Sequence, residues 1–199
     1  MDYKNEKMNG YILAGGKSTR MGMDKGLMML KGKAIIQHII EQTTPLMGNV
    51  IIVSNDIEYE KFGLKVIGDI IKDIGPAGGI HAAMSDMQIN RSFIVSCDMP
   101  FVTPDSIEFM LRQAEDFQIT LPVHNGKVQT LFGIYSKDCL DNWAKLIEQG
   151  IVKLQEMILH FKLKKINVDN NELFNDLLFT NINDKNDYNA ILKQSNYGN

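Results

Sequence analysis

With 199 residues, 44% of them hydrophobic and 23% charged, the chain has the size and composition of one soluble globular domain with a core of its own. A formal net charge of -3 excludes broad electrostatic binding to nucleic acid or to an anionic membrane, so any phosphate must be met by a local cluster. No run approaches the roughly 18 apolar residues of a spanning helix, Met1–Gly10 has no signal-peptide core, and Cys97 and Cys139 fit neither a disulfide framework nor a metal site, so a cytoplasmic address is expected.

Strand and helix signals then alternate. Tyr11–Ala14 reads as a buried strand that runs straight into a glycine-rich loop. Ala34–Thr43 places Ile35, Ile36, Ile39 and Ile40 at helical spacing, with Pro45 just beyond. Val50–Ser54 and Lys65–Gly68 read as strands, and Gly75-Pro76 opens a helix to about Met87. Ser92–Cys97 is a further buried strand, ended by Asp98-Met99-Pro100. Thr103 then fits an N-cap, with Pro104 at the first helical position, for a helix to about Glu115. Ile119–Val123 and Val128–Tyr135 flank the turn His124-Asn125-Gly126 and can pair as a ribbon. Helices at about Lys137–Glu148 and Val152–His160, a strand at Lys164–Val168 and a last helix in the asparagine-rich close complete the pattern. Such alternation predicts an α/β fold of three layers, with a mainly parallel sheet between helices. Ligands of these sheets bind at the carboxyl ends of strands. Three places qualify: the loop after Ala14, Asp69 and Asp98.

In the loop, Gly15, Gly16 and Gly22 are interleaved with Ser18, Thr19, Arg20 and Lys25. Glycine lets backbone N–H groups approach anionic oxygens; Arg20 can fork onto two phosphate oxygens and Lys25 can add a point charge. The loop is not a P-loop. Gly16-Lys17-Ser18 supplies the end of that motif, but its first glycine falls on Tyr11, and Gly-x-Gly-x-x-Gly is also absent. Asp98 follows Phe93-Ile94-Val95-Ser96-Cys97 and should project from the sheet top as a hard oxygen ligand for Mg²⁺. Met99-Pro100 holds the chain extended beside it. Asp24 either orients Lys25 or closes the loop. His38, His81, His124 and His160 have no metal-ligand spacing and read as helix or turn surface; Lys162, Lys164 and Lys165 read as a solvated edge.

Leu13-Ala14-Gly15-Gly16, Ser18, Arg20-Met21-Gly22 and Asp24-Lys25, together with Gly32-Lys33, Asp69, Gly75-Pro76, Cys97-Asp98-Met99-Pro100 and Asn181-Ile182-Asn183, resemble the molybdenum cofactor nucleotidyltransferase family over most of the chain. Ala14-Gly15-Gly16 looks like its guanine-using branch, since cytosine-using relatives tend to carry Ala-Ala-Gly. The resemblance implies a Rossmann-like nucleotidyltransferase fold in a single domain over residues 1–199, with residues of about 8–100 binding nucleotide and about 101–199 binding acceptor. It implies transfer of GMP from GTP to molybdenum-bearing molybdopterin, giving the guanine dinucleotide cofactor and pyrophosphate. Leu13, Ala14 and Gly15 would meet guanine and ribose through backbone atoms, and Asp69 would add a guanine or ribose contact. Arg20 and Lys25 would hold the triphosphate, and Asn181 and Asn183 would contact the acceptor. Arg20, Lys25 and Asp98 form the expected catalytic set, with Mg²⁺ on Asp98. The resemblance further implies hand-off from a molybdenum-insertion protein and onward to molybdoenzymes or their chaperones.

Two departures from the family pattern stand out. Ala77-Gly78 replaces Leu-Ala in the Gly-Pro-Leu-Ala-Gly segment. In the expected strand Gln129–Gly133, Thr130 replaces a proline, which bears on the acceptor pocket. Two alternatives stand beside this. Another nucleotidyltransferase, for cytidine, sugar-phosphate or polyol-phosphate substrates, would keep the loop and Asp98. A nucleotide-binding module without turnover would need a missing catalytic group, whereas Arg20, Lys25 and Asp98 are all present.

Overall fold

The computed structural model describes residues 7–15 and 24–180 of the chain, and its centre is a strand with neither face left to water. Strand β1 (Asn9–Leu13) pairs in parallel with β4 (Val50–Val53) on one side and β6 (Arg91–Ser96) on the other. Next to β4 lies β5 (Lys65–Ile67), also parallel. Next to β6, β9 (Phe132–Ser136) runs antiparallel and joins it to β7 (Ile119–His124), which pairs in parallel with β10 (Leu163–Asn167) at the edge. Among the described residues this is an eight-stranded sheet in the order β10-β7-β9-β6-β1-β4-β5, with the short β8 (Lys127–Val128) paired to β7.

Alternate side chains of the central strands feed two cores. Tyr11, Leu13, Ile51 and Ile94 pack on one face with α2 (Pro76–Asp86), α4 (Leu140–Glu148) and the short α5 (Leu154–Met157). Ile12, Ile52, Phe93 and Val95 pack on the other with α1 (Ile35–Thr43), α3 (Pro104–Arg112) and the side chains of Phe174 and Leu178. The result is the expected three-layer, Rossmann-like arrangement. Helix α3 begins as its sequence predicts: Thr103 Oγ1 accepts from the Ser106 N–H, the Ser106 hydroxyl accepts from the Thr103 N–H, and Pro104 needs no partner at the first position. Trp143 of α4 is fully buried and donates from Nε1 to the carbonyl of Ala77 at 3.0 Å. No described helix is long and apolar enough to cross a membrane.

Several expectations are corrected. The stretch expected as one strand from Val128 to Tyr135 is divided: β8 ends at Val128 and β9 begins at Phe132, leaving Gln129–Leu131 as loop. Gly133 shows why β9 sits where it does, since a Cβ there would lie 2.5 Å from the Thr120 carbonyl of β7. Helix α3 stops at Arg112, three residues early, where the Gln113 N–H turns back to the Met110 carbonyl. Two elements carried no periodicity to betray them. One is the hairpin of β2 (Met29–Leu30) and β3 (Lys33–Ala34), closed by Lys31-Gly32 with positive φ at both turn residues. The other is the 3₁₀ helix Ile57–Phe62, capped by Asp56 in front and by a left-handed Gly63 behind.

His81 and His124 are buried, not on the surface. Ala77 through Met84 are all buried in α2, so that helix has no outer face for His81 to occupy. His124 ends β7 under a cover of chain: its Nε2 lies 2.7 Å from Asp176 Oδ1 and its Nδ1 3.5 Å from Asp169 Oδ1, while Asn125 donates from its backbone to Asp169 at 2.6 Å. The hydrogen bond from His124 holds the Asp176 carboxyl below the usual carboxylate range. Such a group adds stability that is present above its unfolded pKa and lost as pH falls through its folded one. Amide exchange at Leu178 is therefore expected to rise as pH drops below the ordinary carboxylate value of 3.8, ahead of exchange in β1, and Asp176→Asn should remove that early acid step.

Candidate active site

Parallel pairing brings the carboxyl ends of β1, β4, β5 and β6 to one edge. Leu13 stands in register with Val53 and with Ser96, and Val53 with Ile67. The ladder continues one residue further, with Ala14 N–H donating to the Val53 carbonyl at 2.8 Å, Ser54 N–H to Ile67 at 2.8 Å and Cys97 N–H to Leu13 at 2.9 Å. Ala14, Ser54 and Cys97 thus leave the sheet side by side. Gly15 follows with φ of 119°, a conformation that suits glycine, and its N–H donates to the Cys97 sulfur. Burial first, then the neighbouring Asp98 and Asp24 carboxylates, push the Cys97 thiol well above its usual range, so it stays a neutral acceptor. Residues 16–23, which include Arg20, lie outside the described residues, as do Asn181 and Asn183.

The chain resumes at Asp24, which caps a single 3₁₀ turn, Lys25–Leu27. Asp24 Oδ1 accepts from the Gly26 N–H at 2.9 Å and from the hydroxyl of Tyr59 at 2.5 Å. This turn carries Lys25, whose Nζ lies 4.0 Å from Asp98 Oδ2, both side chains about four-fifths buried. The other carboxylate oxygen, Asp98 Oδ1, is buried and has no hydrogen-bond partner among the described residues. A desolvated carboxylate oxygen left unpaired is costly. It is the kind of atom that a cation or a donor on a substrate would satisfy.

On the other flank of β1 stands Asp69, just past β5. Its backbone N–H donates to Asn55 Oδ1 at 2.9 Å and its Oδ2 accepts from Asn55 Nδ2 at 3.0 Å, so Asn55 holds it from both ends. Burial raises its pKa, against the Asn55 bond and the nearby Lys72 charge that lower it. A Cβ on Gly79, in the first turns of α2, would lie 3.5 Å from Leu13 Cδ2 and 3.7 Å from Asp69 Oδ1. Leu13, Gly79 and Asp69 therefore share one wall beside Gly15. The departure at Ala77-Gly78 has a local cause: a Cβ on Gly78 would meet the Ile71 carbonyl at 2.5 Å, so the loop before α2 occupies the room that a side chain would need.

Beyond Asp98, Met99 forms one side of a cavity of about 520 Å³. Gly126, Gln129, Thr130, Leu131 and Gln155 contribute to the rest of its lining, a mix of apolar and neutral polar groups, and Lys127 is the charged residue at its margin. Such a volume suits a small-molecule site. Thr130, the second departure from the family pattern, faces this space. The sequence did not single out Tyr59 or Gly26. Tyr59 sits in a 3₁₀ helix with no apolar period, and Gly26 lies just past the motif, where only the contact it makes reveals it.

The family model that matches the chain, over residues 10–164, is the MobA-like NTP transferase domain. Over 94% of its length the chain is 31% identical to a probable molybdenum cofactor guanylyltransferase of Flavobacterium johnsoniae, covering 97% of that protein. It is 33% identical to a protein of the same description from Clostridium perfringens, over 94% of this chain and 98% of that one. Among solved structures it resembles molybdopterin-guanine dinucleotide biosynthesis protein A of Archaeoglobus fulgidus, with a TM-score of 0.81, 26% identity and coverage of 96% of this chain and all of that one.

Proposed function

The chain belongs to the family of MobA-like NTP transferase domains, and we infer that it transfers GMP from GTP to molybdenum-bearing molybdopterin, releasing pyrophosphate. The observation that carries this reading is the meeting of Lys25 and Asp98 at 4.0 Å, on the strand edge where the glycine-rich loop begins and beside a cavity large enough for a second substrate.

In this reading, the terminal phosphate of molybdopterin attacks the α-phosphorus of GTP. A new phosphoanhydride bond forms, the bond from the α-phosphorus to its bridging oxygen breaks, and the electron pair leaves with pyrophosphate. The attacking phosphate is already an anion, so no side chain has to remove a proton. The protein's part is alignment and charge. Lys25 meets negative charge on the α-phosphoryl oxygens, Arg20 and loop amides hold the leaving group, and Leu13, Gly15 and Asp69 bound the base and ribose. Asn181 and Asn183 are assigned to the acceptor, along with the cavity beside Met99.

Asp98 suits Mg²⁺: it is a hard carboxylate, its Oδ1 is buried without a partner among the described residues, and a magnesium site completes itself from water and phosphate oxygens. When bound there, Mg²⁺ supplies positive charge to the phosphoryl oxygens. No group of three or more His, Cys, Asp or Glu side chains converges among the described residues, so Asp98 and substrate oxygens would share that role. We also assign the protein to the cytoplasm, receiving molybdopterin from a molybdenum-insertion protein and passing the dinucleotide to molybdoenzymes or their chaperones.

Nucleotide competition tests the choice of guanine. GTP with Mg²⁺ at about 100 times its Kd should stabilise the fold by about 2.7 kcal/mol, which for a domain of this size raises Tm on the order of 5–10 °C. CTP and UTP at the same concentration should do much less, and only GTP should release pyrophosphate in the presence of molybdopterin. Stabilisation by CTP or UTP but not by GTP would replace guanine by another base. Binding of GTP without any release of pyrophosphate would favour a module that does not turn over.

A further inference from the structure

Lys25 is placed by a residue far from it in sequence. The 3₁₀ helix Ile57–Phe62 connects β4 to β5 and is fixed at both ends, by the Asp56 side chain accepting from the Glu58 N–H at 2.9 Å and by Gly63 at φ of 72°. It sends the fully buried ring of Tyr59 into the core that contains Ile12, Ala14, Ile52 and Cys97. The ring's hydroxyl reaches the underside of the Lys25–Leu27 turn and donates to Asp24 Oδ1, the oxygen that also accepts from Gly26. The fit is close enough to dictate sequence: a Cβ on Gly26 would lie 2.4 Å from the Tyr59 hydroxyl and 3.3 Å from Cys97 Sγ. Cys97 is in turn bonded by the Gly15 N–H and is followed directly by Asp98. Tyr59 thus touches the stack of groups on which both Lys25 and Asp98 stand.

We propose that Tyr59 is a positioning residue of the transfer reaction: through its hydroxyl bond to Asp24 it fixes the turn that presents Lys25 opposite Asp98. This rests on the nucleotidyl-transfer function given above. A lysine on a flexible stem has considerable rotamer freedom, and a catalytic charge misplaced by about 1 Å can lose on the order of 10²-fold in rate. Fixing the backbone on which the stem is rooted reduces that freedom without touching substrate. Burial first, together with the hydrogen bond to Asp24 and that carboxylate's charge, pushes the Tyr59 phenol far above its ordinary value, so it remains a donor throughout the pH range of turnover.

Tyr59→Phe keeps the ring in the core and removes only the donor. With GTP, Mg²⁺ and molybdopterin, it is expected to lower kcat about 10-fold and to leave KM for GTP within about twofold, in keeping with loss of orientation. In a Lys25→Ala background the same substitution should change kcat by less than twofold, because the group being positioned is gone. In the substrate-free protein, amide exchange at Gly26 should quicken about 10-fold in Tyr59→Phe, while exchange at Ile12 stays as in the wild type. A filler role predicts otherwise: a loss of kcat in the double variant as large as in the single one, or exchange that rises equally at Ile12 and Gly26. Either result overturns the assignment, as does an unaltered kcat in Tyr59→Phe. Wild-type protein that releases no pyrophosphate from GTP overturns the transfer reading itself, which separates the two failures.

Discussion

Asp98→Ala is expected to reduce pyrophosphate release from GTP and molybdopterin by at least about 10³-fold, and raising Mg²⁺ should not restore it. The substitution removes the carboxylate beside Lys25 together with the buried Oδ1 that has no partner among the described residues. The fold should survive. The backbone bond from Cys97 to Leu13 that holds this strand end does not involve the Asp98 side chain, and removing an unpaired buried oxygen relieves a desolvation cost. A Tm at or slightly above that of the wild type, with turnover lost, is therefore the pattern to look for. Asp98→Asn separates charge from shape: it keeps the volume and a neutral oxygen, yet should be nearly as inactive, because a neutral amide is a poor ligand for a hard dication. Near-normal turnover in either variant would sink the role given to Asp98.

Lys25→Ala should lower kcat by about 10²–10³-fold, or about 3–4 kcal/mol, while KM for GTP rises only a few-fold. An interaction made equally with bound triphosphate and transition state appears in KM; one that strengthens as charge builds on the α-phosphoryl oxygens appears in kcat. Lys25 stands against Asp98 at the sheet edge, on a turn held by Asp24, and that placement favours the second kind. Steady-state kinetics with GTP varied at saturating molybdopterin would decide. A rise in KM with kcat unchanged would make Lys25 a simple anchor for the triphosphate. Lys25→Arg should recover little, since a broad planar fork on a three-carbon stem does not replace a compact ammonium on a four-carbon one.

Much of this arrangement could be read from the residues in order. The buried runs Tyr11–Leu13, Val50–Val53 and Phe93–Val95 are apolar and, Leu13 apart, β-branched or aromatic, so the central strands declared themselves. Their parallel order followed from the helices between them, and the strand-end rule then put Ala14, Asp69 and Asp98 along one edge. Two kinds of feature stayed hidden. Elements without a period, such as the hairpin at Met29–Ala34 and the 3₁₀ helix around Tyr59, leave no trace in hydropathy. Contacts between distant segments are also silent, because nothing in Gly26, Gly78 or His124 names the hydroxyl, carbonyl or carboxylate that each will meet. The same holds for β9: its residues announce a strand, but not that it will be inserted antiparallel between β6 and β7.

The Trp143 indole, which donates to the carbonyl of Ala77, has a consequence for how this protein can be altered. Ala77 lies in the opening turn of the helix that also supplies Gly79 to the wall shared with Leu13 and Asp69. Trp143 comes from the later part of the chain, whose loops enclose the cavity beside Met99. The two parts are therefore not interchangeable cassettes: a chimaera that grafts the first hundred residues onto a foreign second half would lose a buried donor from under the wall that Leu13, Gly79 and Asp69 share. New acceptor specificity, if the cavity beside Met99 takes the acceptor as proposed, is better sought in the short Gln129–Leu131 loop that lines it, where substitutions leave the bond between Trp143 and Ala77 intact.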